Sequence, residues 1–411
     1  MREQNSQNYI GIDIGSGTVR CVIGSVDNQE ETSILSVIGF GSAPNTGMRK
    51  GVVVRIDDVV DSIVQAITEA ERVSGVHVGS ATINVNGSQV IGTNSRGVIA
   101  ISAGNREITI EDRLRVEEAA TIVKLPPNRE IIQVFAKNYR LDGHDNIKDP
   151  VGMQGVRLEV DTHIVTASSP ALRNLDTVLE KANVRASHHT ISSLAAAEVV
   201  LTRQQKESGT VLIDIGLGTT NLCVLEEGEV QHVAVLPIGG MNITNDLAIG
   251  LKTDLDIAEA VKIQHGGLGK FSKNGPISVI IQKNRHEFDA EEVHMIIEAR
   301  VEELLEYVDK ELKRIQRSRK LPGGVVIVGG TAKIPGLADF AKEKLELAAR
   351  IGKLQPIAGI MDSIQDPSSF SAVGLMQLDM LLGGANEPEG RDKSVLDVSG
   401  LFDSMMKRFR K

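Results

Sequence analysis

Apolar positions along this chain follow two rhythms. Short apolar runs bounded by glycine, at 9–14, 19–23, 211–215, 222–225 and 325–328, predict buried strands. Between them, apolar residues recur three and four positions apart, which predicts amphipathic helices at 57–74, 110–124, 170–182, 241–251, 254–264 and 289–317. The first of these has Val59, Ile63, Ala66, Ile67 and Ala70 on one face, with Asp57 as its N-cap. A strand at 81–85, an Ala-rich helix at 192–202 and a helix after Pro335 complete the pattern. The stretch 87–165 is more polar and richer in turns. Strands expected there at 97–101, 130–141 and 156–165 surround the 110–124 helix, so it reads as a small inserted β/α subdomain. Strands alternating with helices indicate an α/β body.

Two of the strand pairs carry one signature. Residues 9–24 and 211–225 each run from an apolar strand through Asp-x-Gly-x-Gly-Thr into a second strand, the pattern of a tight hairpin. The first contains Asp13, Gly15, Ser16, Gly17 and Thr18; the second contains Asp214, Gly216, Gly218, Thr219 and Thr220. Without Cβ atoms at the glycines, backbone N–H groups and hydroxyls approach an anion closely. Each Asp ends an apolar strand, where a carboxylate is costly unless it has a partner such as a hydrated divalent cation. One copy is equally an ordinary glycine turn. Two copies in corresponding places point to a duplicated domain that grips phosphates from both sides of a cleft. The run 325–328 ends in Gly329, Gly330 and Thr331, a common strand-to-helix turn that becomes an adenosine contact once two phosphate hairpins precede it. Both Asp-containing motifs lead into strands rather than opening a helix, which counts against a dinucleotide fold.

At 411 residues the chain exceeds one ordinary core and implies two or more lobes. A net charge of −9, 3% aromatics and no Trp argue against a nucleic-acid binder. The two cysteines, Cys21 and Cys223, sit one in each hairpin as small apolar strand residues, which fits a reducing compartment. No clustered thiols mark a zinc site, and neither a signal peptide nor a spanning segment is legible. The expectation is a cytoplasmic body.

The doubled Asp-x-Gly-x-Gly-Thr, the Ala-rich connecting helix and the Gly-Gly-Thr strand end resemble the actin/Hsp70/sugar-kinase ATPase superfamily. Within it the chain is similar, over essentially its whole length, to the FtsA family of bacterial cell-division proteins. The stretch from Gly47 to Val53 sits at that family's Gly-Met-x-x-Gly. Residues 146–153 and 155–158 match its inserted subdomain, and Ala258-Glu259-Ala260-Val261-Lys262 its Ala-Glu-x-x-Lys helix. The resemblance implies a two-lobed actin-like ATPase fold of duplicated ribonuclease-H-like domains. One lobe would comprise 1–86 and 166–205 plus a helix at 366–383. The insert would be 87–165, and the other lobe 206–365 with a nucleotide-capping part at 240–320. It also implies ATP with Mg²⁺ as ligands. Asp13 and Asp214 would face the Mg²⁺ through water, with Gly15 to Thr18 wrapping the phosphates from one side and Gly216, Gly218, Thr219 and Thr220 from the other. Glu259 and Lys262 would meet the nucleoside, which Gly329, Gly330 and Thr331 would close over. By spacing alone Glu259 and Lys262 are an exposed helix pair. Where relatives carry Glu or Gln to orient the attacking water, this chain has Ser192 or Ser193. Tight binding with slow or negligible hydrolysis is therefore expected.

The run 384–394 is polar with Gly and Pro and reads as a flexible linker. At 100° per residue, Val395, Val398, Leu401, Phe402, Met405, Met406 and Phe409 then fall in one arc of about 140°, opposite Lys407, Arg410 and Lys411 and flanked by Arg408. An amphipathic helix over 395–411 suits an anionic membrane surface; the alternative is a last helix docked on the body or on a partner. The resemblance implies a membrane-targeting helix, self-assembly into filaments, other division proteins as partners, and a tubulin-like FtsZ peptide as ligand on the 289–317 helix, where Arg300 is a contact candidate. Competing readings are a PilM-like pilus-assembly protein, which would not end in a basic amphipathic helix, and a small-molecule kinase, for which no catalytic Asp is identifiable. An Hsp70-type chaperone would need a long further domain, and MreB-like proteins an actin-type subdomain in place of this insert.

Overall fold

The computed structural model describes residues 7–26, 35–102, 104, 106–271 and 275–383. The linker expected at 384–394 and the helix expected at 395–411, with Val398 to Lys411, lie outside the described residues. The chain opens with β1 (Gln7–Ile14), β2 (Thr18–Val26), β3 (Leu35–Pro44), β4 (Met48–Arg49), β5 (Val52–Val53), α1 (Ile56–Ser74) and β6 (Ser80–Asn84). Next come β7 (Ile91–Ala100), α2 (Ile110–Thr121), β8 (Arg129–Leu141), β9 (His144–Ile147) and β10 (Arg157–Ser168). They are followed by α3 (Ser169–Lys181), β11 (Arg185–Thr190), α4 (Ser192–Val200) and α5 (Arg203–Ser208). A second series runs β12 (Thr210–Ile215), β13 (Thr220–Glu226), β14 (Glu229–Leu236), α6 (Gly240–Gly250), α7 (Leu255–His265), β15 (Pro276–Ile281), β16 (Asn284–Asp289) and α8 (Ala290–Arg314). It ends with β17 (Gly324–Val328), α9 (Leu337–Leu345) and β18 (Ala349–Ile351), before β19 (Ala358–Gly359), α10 (Met361–Ile364) and α11 (Phe370–Leu382) close the fold.

Among these residues, one sheet has the order β11-β6-β1-β2-β3-β19 and another β14-β13-β12-β17-β18. Apart from the edge strand β19, the two orders are the same. In each, three consecutive antiparallel strands are extended beside the first by two parallel ones. This repeat is the two-lobed α/β architecture expected from the doubled motif. The insert's own sheet, β7-β10-β8-β9, carries α2 and a small separate core that includes Val116, Tyr139, Leu158 and Ile164.

Local chemistry explains the elements. Helix α1 buries Val59, Ile63, Ala66, Ile67 and Ala70 and stops at Gly75, whose φ of 72° gives the left-handed cap. Its N-cap is Arg55 rather than Asp57; Asp57 and Asp58 instead occupy the first turn, where they favour the helix dipole. Helix α8 buries Val293, Ile297, Val301, Leu304, Leu305, Val308 and Leu312 against the second lobe. Helices α4 and α11 cross between the lobes at very short range. A Cβ on Gly374 would stand 1.9 Å from the carbonyl oxygen of Ala195, and one on Gly11 would stand 2.2 Å from the backbone of Met376. Only glycine permits such approach.

Candidate functional site

Both Asp-x-Gly-x-Gly-Thr motifs form the hairpins β1–β2 and β12–β13. Each turn closes the same way, the Gly15 N–H donating to Thr18 O at 3.1 Å and the Gly216 N–H to Thr219 O at 2.9 Å. The tips meet: a Cβ on Gly17 would stand 2.6 Å from Cδ2 of Leu217, and one on Gly218 would stand 3.0 Å from Oγ of Ser16. Between them lies a cavity of about 140 Å³. Asp13, Gly15, Ser16, Gly17, Thr18, Asp214, Gly216, Gly218, Thr219, Gly329 and Gly330 all line it. Thr220 is fully buried behind the tip, its hydroxyl donating to Ile238 O at 2.8 Å. Gly329 has a φ of 90°, and a Cβ there would stand 2.5 Å from Asp214 Oδ1, so the strand end and the second carboxylate share one small space.

The two carboxylates are buried and differently supported. Asp13 accepts a hydrogen bond from Asn84 Nδ2, and burial pushes its pKa up to about 7, offset by Arg20 and reinforced by Asp214. Burial also raises the Asp214 carboxyl, opposed by hydrogen bonds from Ser192 Oγ at 2.6 Å and Ser371 Oγ at 3.2 Å and by Arg20. Raised acids converging on one cleft are what a cation relieves. Asn221 Oδ1, buried in the same lining, has no hydrogen-bond partner among the described residues. Two carboxylates and an unused amide oxygen are hard donors, and they fit a hydrated Mg²⁺ held mainly through water. Backbone N–H groups at two glycine turns fit the phosphates that would accompany it. When bound, Mg²⁺ would supply the positive charge that lets both acids ionise.

Glu259 and Lys262 lie beside this cavity rather than in its wall. Lys262 Nζ donates to Glu259 at 2.6 Å, to the Thr244 hydroxyl at 2.8 Å and to Gly240 O at 3.1 Å. The Thr331 hydroxyl reaches Gly216 O at 3.3 Å, and the Gly240 N–H donates to the same carbonyl at 2.9 Å. The network thereby ties α6 and α7 to the second hairpin. Glu259 and Lys262 are thus more than an exposed helix pair, the lysine side chain being only 10% exposed. Arg300 is engaged with Asp246 of α6 and with Glu303, so a ligand there would have to share it.

Five polar lining residues escaped the sequence reading: Arg20, Asn86, Asn221, Ser368 and Ser371. Arg20 donates to Ser368 Oγ at 3.0 Å, and Ser371 donates to Asp214, so the start of α11 touches both carboxylate systems. No motif announces Ser368 or Ser371. Arg20 had a signal, a cation inside an apolar strand. Ser192 proves to be committed to Asp214, while Glu198 faces away and pairs with Lys206 at 3.0 Å.

Comparison with known proteins gives consistent results. The family model described as the SHS2 domain inserted in FTSA matches residues 87–166, and the one described as cell division protein FtsA matches 211–374. The chain is 37% identical over 377 residues to cell division protein FtsA of Bacillus subtilis (strain 168), covering 91% of this chain and 83% of that protein. It is 33% identical over 396 residues to cell division protein FtsA of Pseudomonas aeruginosa, covering 95% and 93%, and 30% identical to the Escherichia coli K12 protein of that name, covering 93% of each. Among solved structures, the PilM–PilN type IV pilus biogenesis complex has a chain that matches with a TM-score of 0.64 at 16% identity, covering 90% of this chain and 98% of that one. MreB5 of Spiroplasma citri bound to AMPPNP matches at 0.54 and 12% identity, covering 91% and 96%. These structural likenesses are of fold.

Proposed function

The chain belongs to the FtsA family of cell-division proteins, and we propose that it acts there as an ATP-dependent, actin-like tether between the cytoplasmic membrane and the FtsZ ring. The observation that carries the nucleotide part is the pair of equivalent hairpins touching tip to tip around two buried, raised carboxylates. A duplicated grip of that kind suits Mg²⁺–ATP, with the Glu259–Lys262–Thr244 network and Gly329 to Thr331 on the nucleoside side. Turnover is slow in this reading. The water-orienting position falls on Ser192 or Ser193, neither of which has a carboxylate or amide to hold water, and Ser192 spends its hydroxyl on Asp214. Sustained phosphate release at about 1 s⁻¹ would refute it.

The membrane part rests on the sequence of 395–411. One short amphipathic helix binds weakly, and several carried by one filament bind by avidity, which gives self-assembly on the membrane a physical purpose. No described helix is long and apolar enough to cross a membrane. Residues around Arg300 on α8 would take the FtsZ C-terminal peptide, and other division proteins would join at the membrane. The test is co-sedimentation with anionic liposomes, comparing the full chain with one ending at Gly390, with and without Mg-ATP. Pelleting of the full chain alone supports the tether, and dependence on ATP adds assembly to it. If neither form pellets, the terminal segment is a protein-docking element and the tether reading fails.

A further inference from the structure

At the far end of α4 from the cleft lies an open groove of about 500 Å³. Its apolar lining includes Leu35, Val199, Leu354, Pro356, Ile357 and Met380. The wall at 354–358 links the second-lobe strand β18 to the first-lobe strand β19 and is fastened to the end of α4. The Gln355 N–H donates to Val199 O at 2.7 Å, and its side-chain amide donates to Val200 O at 3.0 Å. Met380 and Gln377, on the opposite wall, belong to α11, the last described helix. The groove therefore begins within two turns of the point where residues 384–411 depart.

We propose that this groove holds the chain's own segment 395–411 when no membrane is present. Reach permits it. The eleven residues 384–394 span roughly 18 Å as a flexible coil and at most about 40 Å extended. The groove starts about 5–10 Å along α11 from their root. Composition selects this occupant. The other stretches outside the described residues, 1–6, 27–34 and 272–274, are polar but for Met1 and Ile34, whereas 395–411 has seven apolar residues on one helical arc. The volume suits the side chains of one or two helical turns, such as Phe402, Met405 and Met406, rather than a whole helix. The cations Lys407, Arg408, Arg410 and Lys411 would then lie against a chain whose net charge is −9.

The inference deepens the tether reading and rests on it for its purpose. The apolar face that fills the groove is the face that would enter a bilayer, so the two states exclude each other. The groove also bridges the two lobes along α4, whose other end carries Ser192 against Asp214. A docked segment thus sits where the angle between the lobes is set.

The experiment uses the full chain with Gln377→Cys on the groove wall and Ser399→Cys beside the apolar arc. The native thiols do not interfere: both are buried, and burial pushes that of Cys21 up to about 12. A short bis-maleimide should join the new pair within one molecule, and vesicles of phosphatidylglycerol and phosphatidylethanolamine should suppress the product. Separately, Ile357→Asp and Met380→Asp should each tighten vesicle binding about three- to tenfold by freeing the segment, with thermal melts confirming the fold. No crosslink, a crosslink only between two molecules, or unchanged vesicle affinity in both folded variants would overturn the proposal. A crosslink within one molecule in a chain that never binds vesicles would support the groove and refute the membrane reading instead.

Discussion

At one and the same register position the first hairpin places Arg20 opposite Asp13, and the second places Asn221 opposite Asp214. The backbones repeat, down to the hydrogen bond that closes each turn, but the charge arrangements do not. Lobe one brings its own cation, which also lowers the partner carboxylate across the cleft. Lobe two has a neutral amide in that place: its Asp214 takes hydrogen bonds from Ser192 and Ser371 of lobe one, and Asn221 leaves its amide oxygen unused. Duplication thus preserved the part that any phosphate requires, close N–H groups. The side chains that divide charge between the halves diverged, so the cleft has a cationic wall and a polar wall around shared acids.

The strongest way to break this comparison is to spoil the part that repeats. Gly17→Val and Gly218→Val each push a side chain into the opposing tip. Each should weaken ATP binding at least about a hundredfold, about 3 kcal/mol, measured by calorimetric titration. If one of them is silent, the grip is one-sided.

A pH-dependent effect distinguishes the acids. The folded-state value of Asp13 is raised from 3.8 to about 7, so the folded chain holds a proton that the unfolded chain releases. Its contribution is fully present below about pH 4 and is lost as pH rises through about 7. The loss is up to about 4 kcal/mol by pH 8. Asp13→Asn should flatten that slope in denaturant melts without ligand and leave the variant more stable than the parent at pH 8. Mg-ATP should stabilise the parent more at pH 8 than at pH 6, and the variant about equally at both. An unchanged slope would mean that Arg20 and solvent already neutralise the site.

The smallest effect is on the polar wall. Ser192→Ala removes the 2.6 Å bond to Asp214 and should cost about 1–3 kcal/mol in thermal unfolding while leaving phosphate release slow. A rise in turnover would show that the hydroxyl restrains chemistry rather than supporting a carboxylate.

The doubled fold was legible because its signals are strong: two glycine hairpins, a five-residue apolar strand at Gly324–Val328 and a long stripe along α8. Other elements carry weaker signals. Strand β11 reads Arg-Ala-Ser-His-His-Thr, polar because it is a sheet edge whose side chains make hydrogen bonds. His189 reaches Asp176 at 3.0 Å, and Thr190 accepts from Gln133 at 2.9 Å. The β15–β16 hairpin turns through Gln282 and Lys283, both at positive φ, where Asn and Gly are the usual markers. The site divides similarly. Residues inside a motif are visible in the sequence, whereas Asn84, Asn221, Ser368 and Ser371 are single polar residues that only folding brings to the carboxylates.

The crossing of α4 and α11 has one more consequence. At Gly374 and Ala195 backbone lies on backbone, so no side chain stands between the helices at the crossing point. Elsewhere in a packed interior, turning one element on another means lifting knobs out of holes. Here that interlocking is confined to the flank of the crossing, where Ala195 packs on Leu375 and Leu378. A swivel of the lobes about this point would have little to unmesh at the crossing itself, and the angle between them would then be set by what fills the cleft or clasps both lobes from outside. Gly374→Ala would set a side chain against the Ala195 carbonyl and force the two helices apart.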